Sequence, residues 1–317
     1  MIDVRVSLCT DEAVDIRRFQ LEPVNSTTLP AFTAGAHIDV HLPNGLVRQY
    51  SLCNADSESH RYVIGVLKDP ASRGGSNAVH ELIRPGDVIR ISEPRNLFPL
   101  AEQGKRHLLF AGGIGITPLL SMAEHLHRHD QPFELHYCAR ASERMAFRQQ
   151  LLEADFASRV HLHFDDGDAQ QKLDTAQLLA RPDADTHLYV CGPGGFMEHV
   201  LSTARQQGWP ESQLHREYFA AAPVDHDADG SFEVELQSSG VVYQIPAERS
   251  IVQVLEAAGV DVPVSCEQGI CGTCLTRVLS GEPDHRDMFM TDEEHAANDQ
   301  MTLCCSRSRS ARLVLDL

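Results

Sequence analysis

The sequence predicts a multidomain chain of three parts: an antiparallel β-barrel, an α/β domain built on a parallel sheet, and a smaller α+β domain. Three observations predict it. The length of 317 residues exceeds one ordinary core and suits two or three domains of about 100 to 150 residues each. The pattern changes near His107 from closely spaced strands to strand followed by helix. A stretch rich in Pro, Gly and acids, Ala220 to Gly230, then interrupts the periodic pattern before strands resume. The expected boundaries are 1–102 for the barrel, 103–222 for the α/β domain, 223–230 for a linker and 231–317 for the last domain.

In the first part, short β segments run over Val4 to Cys9, Val14 to Leu21, His37 to Leu42, Val47 to Asn54, Tyr62 to Leu67 and Val88 to Ser92. Such spacing suits a barrel or sandwich. Pro43-Asn44-Gly45 supplies a turn, because Asn and Gly tolerate positive φ. One helix, about Ser76 to Ile83, interrupts the strands. In the second part, HLLFA precedes a helix over Thr117 to His127, FELHYC one over Glu143 to Leu152, VHLHF one over Thr175 to Ala180, and HLYVC one over Gly195 to Gln207. This alternation gives a parallel sheet covered by helices, with nucleotide sites at the carboxyl ends of the strands. The third part reads as strands at Phe232 to Leu236 and Val241 to Ile245, a helix from Ile251 to Ala258, a cysteine loop, and strands near Leu275 and Leu313 to Leu315.

Composition excludes several function classes. With 42% hydrophobic and 23% charged residues the chain is neither disordered nor fibrous. A net charge of -18 opposes nucleic acid and anionic membrane surfaces and suits a protein partner with a basic patch. The N-terminus MIDVRVSLCTDEAVD has no basic segment followed by an apolar one, as a secretory signal would. The longest apolar candidate, Leu108 to Met122, is broken by glycines and Pro118, so no span of a bilayer is expected. The expectation is a cytoplasmic protein whose nine cysteines serve metal or redox chemistry, or packing, rather than disulfides.

Cys266-x4-Cys271-x2-Cys274 with a distant fourth cysteine matches the ligand spacing of plant-type [2Fe-2S] proteins. Thiolates suit iron and sulfide, and Gly269 and Gly272 are placed to let backbone N–H groups approach the sulfurs. A zinc site usually shows two Cys-x2-Cys-like pairs, which this is not. Spacing alone leaves Cys304 and Cys305 both open as fourth ligand. LCCSRSRSARLVLDL resembles the C-terminal pattern of oxygenase-reductase ferredoxin domains, and that likeness assigns Cys304 to the cluster and Cys305 to an apolar position.

Arg48-Gln49-Tyr50-Ser51-Leu52 resembles the Arg-x-Tyr-Ser motif of the ferredoxin-NADP reductase superfamily. Tyr can pack on a flavin ring, Ser can hydrogen-bond near its N5, and Arg can hold phosphate. Arg73-Gly74-Gly75-Ser76 opens a helix, where N–H groups, the helix dipole and a guanidinium converge on one phosphate. A terminal phosphomonoester fits such a pocket, which favours FMN over FAD, and Glu93 to Phe98 resembles the Pro-Arg-Asn-x-Phe stretch of FMN-dependent members. The likeness implies that Val66, Leu67, Lys68, Gly74, Gly75, Ser76, Asn77, Thr117 and Phe219 line the flavin.

Gly112-Gly113-Ile114-Gly115-Ile116-Thr117-Pro118 follows a strand and begins a helix, where a pyrophosphate is cradled. It lacks the G-x-G-x-x-G fingerprint but resembles the Gly-Gly-x-Gly-x-Thr-Pro turn of the same superfamily. Cys191-Gly192-Pro193 resembles its second signature, with Cys beside the nicotinamide C4. Ser51 and Cys191 are therefore the expected catalytic pair. Tyr137-Cys138-Ala139-Arg140 is expected at the adenosine ribose; Arg140 and Arg144 leave NADPH open, while the likeness favours NADH. His125, His127 and His129 lie at i and i+2 on a helix, about 200° apart, and read as solvated surface. His161 and His163 share one face of a strand without a further ligand apparent in the sequence.

Flavin, nicotinamide and ferredoxin parts in this order resemble the reductase components of Rieske non-haem iron oxygenases of the phthalate dioxygenase and vanillate O-demethylase type. The resemblance implies a β-grasp ferredoxin domain, an NADH-dependent oxidoreductase using FMN and a [2Fe-2S] cluster, and a separate terminal oxygenase as electron acceptor. Alternatives are a reductase serving a cytochrome P450 and a redox-sensing iron–sulfur protein.

Overall fold

A computed structural model describes residues 1–317 apart from 71, 73 and 221–228, so Arg73 and most of the expected linker lie outside the described residues. By contacts the chain divides into two compact units, Met1–Glu217 and Tyr218–Leu317.

The first unit opens with β1 (Ile2–Ala13), β2 (Ile16–Pro23), β3 (His37–His41), β4 (Val47–Ser51), β5 (Tyr62–Leu67), helix α1 (Gly75–Leu82) and β6 (Val88–Ile91). The six strands form one antiparallel sheet in the order β4-β3-β6-β1-β2-β5, and a Leu52–Ile64 bridge joins its two ends into a barrel. Alternating Val4, Val6, Phe19, Leu21, Ile38, Val40, Ile64 and Val66 fill the interior, as period-2 side chains must. Gly45 takes the positive φ of 84° that the Asn-Gly turn requires, and Asn44 Oδ1 accepts from the Leu46 N–H.

β7 (Arg106–Gly112), α2 (Ile116–Arg128), β8 (Phe133–Ala139), α3 (Arg148–Glu153), β9 (Val160–Phe164), α4 (Thr175–Leu179), β10 (Thr186–Cys191), α5 (Gly194–Gln206) and β11 (Leu214–Glu217) follow. The sheet is fully parallel in the order β11-β10-β7-β8-β9. Its core beneath α2 is continuous with barrel residues Ile16, Ala34, Cys53, Val63 and Phe98, so barrel and sheet share one apolar interior. Phe98 meets Tyr189 edge-on with centroids 5.9 Å apart, and the Tyr189 hydroxyl accepts from the Ala101 N–H.

Two expectations differ here. The helix expected over Glu143 to Leu152 is a 3-10 turn, Ser142–Arg144, and then the short α3. Met145, Ala146 and Phe147 plug into the core between them, and Phe147 takes φ 57° with its N–H donating to Glu12 Oε1. The histidines of α2 are not merely solvated. His125 Nδ1 and the Arg128 guanidinium both bind Asp56 at 2.6 Å, and His129 stacks on His125, one turn on.

The second unit contains β12 (Phe232–Leu236), β13 (Val242–Ile245), α6 (Ile251–Ala257), β14 (Leu275–Ser280), β15 (Pro283–Asp284), α7 (Asp292–Ala297), β16 (Gln300–Thr302), β17 (Arg307–Ser308) and β18 (Arg312–Leu315). The mixed sheet β13-β12-β18-β14-β16 has a parallel β12–β18 pair at its centre and packs α6 over its apolar face, a β-grasp arrangement. Ser250 and Gln253 form a capping box at the start of α6, and Thr291 and Glu294 do so for α7. Asp229 and Gly230, placed in the linker by composition, are pinned. The Asp229 carboxylate pairs with Arg286 and Arg307, and the Gly230 carbonyl accepts from Arg307.

Candidate functional site

Strand β4 and the start of α1 build an anion cradle. Gly74 caps the helix with φ 86° and brings no side chain to its N–H groups. The Arg48 side chain lies directly over Gly75, where a Cβ would meet its Nε at 2.4 Å, so only glycine admits the guanidinium beside the helix start. A cation and a helix N-terminus that converge in this way suit a phosphate. Ser76 Oγ accepts from the Asp69 N–H at 3.1 Å, holding the preceding loop, and Asn77 follows in the first turn. Tyr50 packs on the barrel core, where burial pushes its phenol well above the usual range against the pull of Arg48.

Some expected flavin contacts point elsewhere. Gln49 donates to Asp39 at 3.2 Å and lies 3.3 Å from a ring nitrogen of His37; Arg95 in turn holds Asp39 through both oxygens at 2.7 Å. Leu52 and Val66 are buried in the barrel, so only their backbones are available to a ligand. Leu67 packs on the shared core, and the Lys68 ammonium is paired with Glu81 at 3.1 Å. Phe219 belongs to the second unit and is 38% exposed.

The residue that sequence reasoning missed is Glu217. Strand β11 pairs in register with β10 and sets Glu217 beside Cys191. Glu217 Oε2 accepts from Ser51 Oγ at 3.3 Å. Burial pushes its carboxyl up to about 8, with the Ser51 hydrogen bond opposing. The Cys191 thiol is fully buried, and burial, then the nearby Glu217, raise it well above the ordinary cysteine range. It is a neutral contact atom rather than a thiolate nucleophile. The two residues expected to be catalytic, Ser51 and Cys191, are thus gathered around one carboxyl group. A four-residue edge strand ending in a lone Glu carries little periodicity, and only its pairing with β10 reveals its place.

The two glycine turns at the ends of β7 and β10 touch. A Cβ at Gly115 would fall 2.2 Å from the Cys191 carbonyl oxygen, one at Gly192 2.9 Å from Gly112 Cα, and one at Gly112 2.7 Å from the Phe196 ring beside Pro193. Gly113 adopts φ 53° with open space where a side chain would stand. Ile116, Thr117 and Pro118 are buried in the first turn of α2, and the Thr117 hydroxyl donates to the Ile114 carbonyl. The result is two apposed glycine turns over the ends of two parallel strands, where an extended diphosphate can meet backbone. Tyr137 and Ala139 turn inward to the core, which corrects the expectation that they reach a ribose; Arg140 stays exposed at the end of β8. Arg144 is engaged with Asp15 at 3.4 Å.

In the second unit the thiols of Cys266, Cys271, Cys274 and Cys304 form one hydrogen-bonded group. Hydrogen bonds from Cys271 and Cys304, with N–H groups of Ile270 and Gln268, pull Cys266 well below its usual range, and Cys304 lowers Cys274. Thr273 Oγ1 lies 3.2 Å from Cys271 Sγ. Four converging thiols, three from a loop that supplies N–H donors and a fourth from the segment after β16, are the donor set of an iron–sulfur cluster. The glycines act sterically. Gly269 (φ 74°) makes room for Cys305 Sγ and Asp287, and Gly272 (φ 66°) for the Phe289 ring. Cys305 does not occupy an apolar position: its thiol lies 3.2 Å from Thr302 Oγ1 and 3.9 Å from Ser306 Oγ, because the Thr302–Ser306 turn faces those hydroxyls towards it.

Residues 234–309 match the 2Fe-2S iron-sulfur cluster binding domain family, and residues 89–214 match the N-terminal domain family of dimethylamine monooxygenase subunit DmmA-like proteins. The chain is 61% identical over 317 residues, the whole of both proteins, to a vanillate O-demethylase oxidoreductase of a Pseudomonas species. The solved phthalate dioxygenase reductase, described as a modular structure for electron transfer from pyridine nucleotides to [2Fe-2S], superposes with a TM-score of 0.78 at 41% identity, covering 100% of this chain and 98% of that one. An intact type IV self-sufficient cytochrome P450 monooxygenase matches with a TM-score of 0.85 at 36% identity, over 100% of this chain and 41% of the other. The chain belongs to the vanillate O-demethylase oxidoreductase and phthalate dioxygenase reductase family, NADH-dependent electron-transfer reductases of oxygenase systems.

Proposed function

We propose that this chain is the reductase component serving a Rieske-type oxygenase that demethylates vanillate or a close aromatic acid, and that it uses FMN and a [2Fe-2S] cluster. The observation that carries this reading is 61% identity along the entire chain to a vanillate O-demethylase oxidoreductase. When bound, the flavin accepts an electron pair from NADH and the cluster forwards electrons singly; the cofactors supply this chemistry, and the protein sets position and potential.

The chain's own residues do the positioning. Arg48 and the N–H groups of Gly75, Ser76 and Asn77 hold a terminal phosphate, with Arg73 and Gly74 preceding them, which supports FMN over a cofactor whose phosphate continues into an adenylate. Tyr50 offers a ring to pack on the isoalloxazine. Glu217 fixes the Ser51 hydroxyl beside the reacting edge, and Thr117 completes that wall. Gly112, Gly113, Gly115, Gly192 and Pro193 admit the dinucleotide, and neutral Cys191 lies against the nicotinamide. Arg140 meets the adenosine ribose, while Arg144 is engaged with Asp15, which supports NADH over NADPH. Cys266, Cys271, Cys274 and Cys304 hold the cluster.

With the vanillate oxygenase component present in air, vanillate should accelerate NADH oxidation by the purified protein, with about one methyl group released per NADH consumed in that coupled turnover. Cytochrome c reduction that proceeds while vanillate turnover fails with that oxygenase would contradict the partner assignment. A second reading, service to a cytochrome P450, rests on the match of this whole chain to 41% of the self-sufficient P450; the same assay with a P450 acceptor separates the two.

A further inference from the structure

We propose that Glu134, His136 and His161 form a binding site for one divalent transition-metal ion of the zinc class on the open face of strands β8 and β9. Their ligand atoms lie within 4.8 Å of one another. The parallel register sets His161 opposite His136 and Phe110 on its other side, so the His136 ring is sandwiched, with centroids 4.7 Å from His161 and 5.3 Å from Phe110. Helix α5 packs mainly on β7 and β10 of the same sheet.

The tautomers follow from the hydrogen bonds. His163 Nδ1 is 2.8 Å from the Gln171 carbonyl oxygen, which only accepts, so Nδ1 carries the proton and His163 Nε2 is a lone pair. That lone pair lies 3.2 Å from His136 Nδ1, which must therefore be the N–H. The remaining nitrogen, His136 Nε2, is then bare. It is buried without a hydrogen-bond partner, on a residue only 3% exposed, and it faces Glu134 Oε2 at 3.6 Å. Two acceptors directed at each other, the imidazole nitrogen buried and the Glu134 carboxylate half-buried, call for a positive charge between them. Arg106 does not supply it, since its guanidinium binds the other oxygen, Oε1, at 2.6 Å.

Two imidazoles and one carboxylate are the donor set of zinc, cobalt or nickel, with a fourth position left to water. His163 and the Gln171 carbonyl form the outer hydrogen-bonded chain that fixes the tautomer of a metal-bound histidine. His161 is exposed, so its ring is able to swing inward and close the site. A proton on His136, giving an imidazolium paired with Glu134, is the rival occupant.

The test uses the holoprotein, free of any histidine tag, after chelator treatment that leaves iron content unchanged. Zinc is titrated by equilibrium dialysis against metal analysis. One zinc ion per chain should bind to the wild type and raise its melting temperature. His161→Asn, an exposed change, should weaken that binding about 100-fold while NADH–ferricyanide activity stays as in the wild type. His295→Asn, a control in the His285, Asp287 and His295 group of the second unit, should bind as the wild type does. Failure of the wild type to bind zinc, or undiminished binding in His161→Asn, would overturn the proposal, the former in favour of the proton.

Discussion

At the scale of single residues, the fourth cluster ligand and Glu217 carry the sharpest consequences. Cys304 hydrogen-bonds the thiols of Cys266, Cys274 and Cys305, whereas Cys305 reaches the group only through Cys304 and otherwise meets the Thr302 and Ser306 hydroxyls. Cys304→Ser should therefore lose most of the iron and inorganic sulfide bound per chain, and Cys305→Ser should retain both, measured on proteins purified side by side. Glu217 predicts a pH effect on the flavin-free protein. Its folded carboxyl titrates at about 8, against about 4.3 when unfolded. The folded state thus binds the extra proton, and the stability tied to this group is present at low pH and lost as pH rises from about 4.3 to 8. Glu217→Gln should flatten the fall in melting temperature over that window; an unchanged pH profile would mean that the carboxyl is ordinary. The cysteine spacing was legible in the sequence because the ligands of one loop converge locally. Glu217 was not, because it lies well beyond Cys191 in sequence and only strand pairing brings them together.

Among elements, the two glycine turns act as one device. Gly115 has ordinary helical φ, so its requirement is purely steric: a methyl group would strike the Cys191 carbonyl. Gly115→Ala should push the turns apart and raise the KM for NADH about 10- to 100-fold, as small displacements at a reacting centre do. Gly113 is the reverse case, with space but φ 53°; Gly113→Ala should cost about 1 kcal/mol of stability, read by denaturant unfolding. Helix α6 depends on its capping box, and Ser250→Ala should destabilise the second unit by about 1 kcal/mol. Most strands and helices were readable from period and turn residues. The segment after Arg144 was not: helical propensity there gives way to burial of Met145, Ala146 and Phe147 in the shared core, and a left-handed Phe147 breaks the helix.

For the whole molecule, a two-electron donor is coupled to one-electron acceptors by sites carried on a single chain. The order of the three parts was visible in the sequence because each carries its own motif on its own kind of element. What the motifs left out was the joining. The barrel and the parallel sheet share one apolar core within Met1–Glu217, and the contacts that unite them are residues such as Phe98, Tyr189 and Asp56 that no motif marks. Removing the outlet tests the division of labour: Cys274→Ser should abolish cytochrome c reduction and leave NADH–ferricyanide activity within about twofold of the wild type. The most direct measurement is an anaerobic titration of the holoprotein with NADH, followed by visible absorbance and electron paramagnetic resonance. Flavin bleaching accompanied by the paramagnetic signal of a reduced [2Fe-2S] cluster, with more than one NADH consumed per chain, is the predicted result. Bleaching of the flavin with a cluster that stays silent and oxidised would contradict the account.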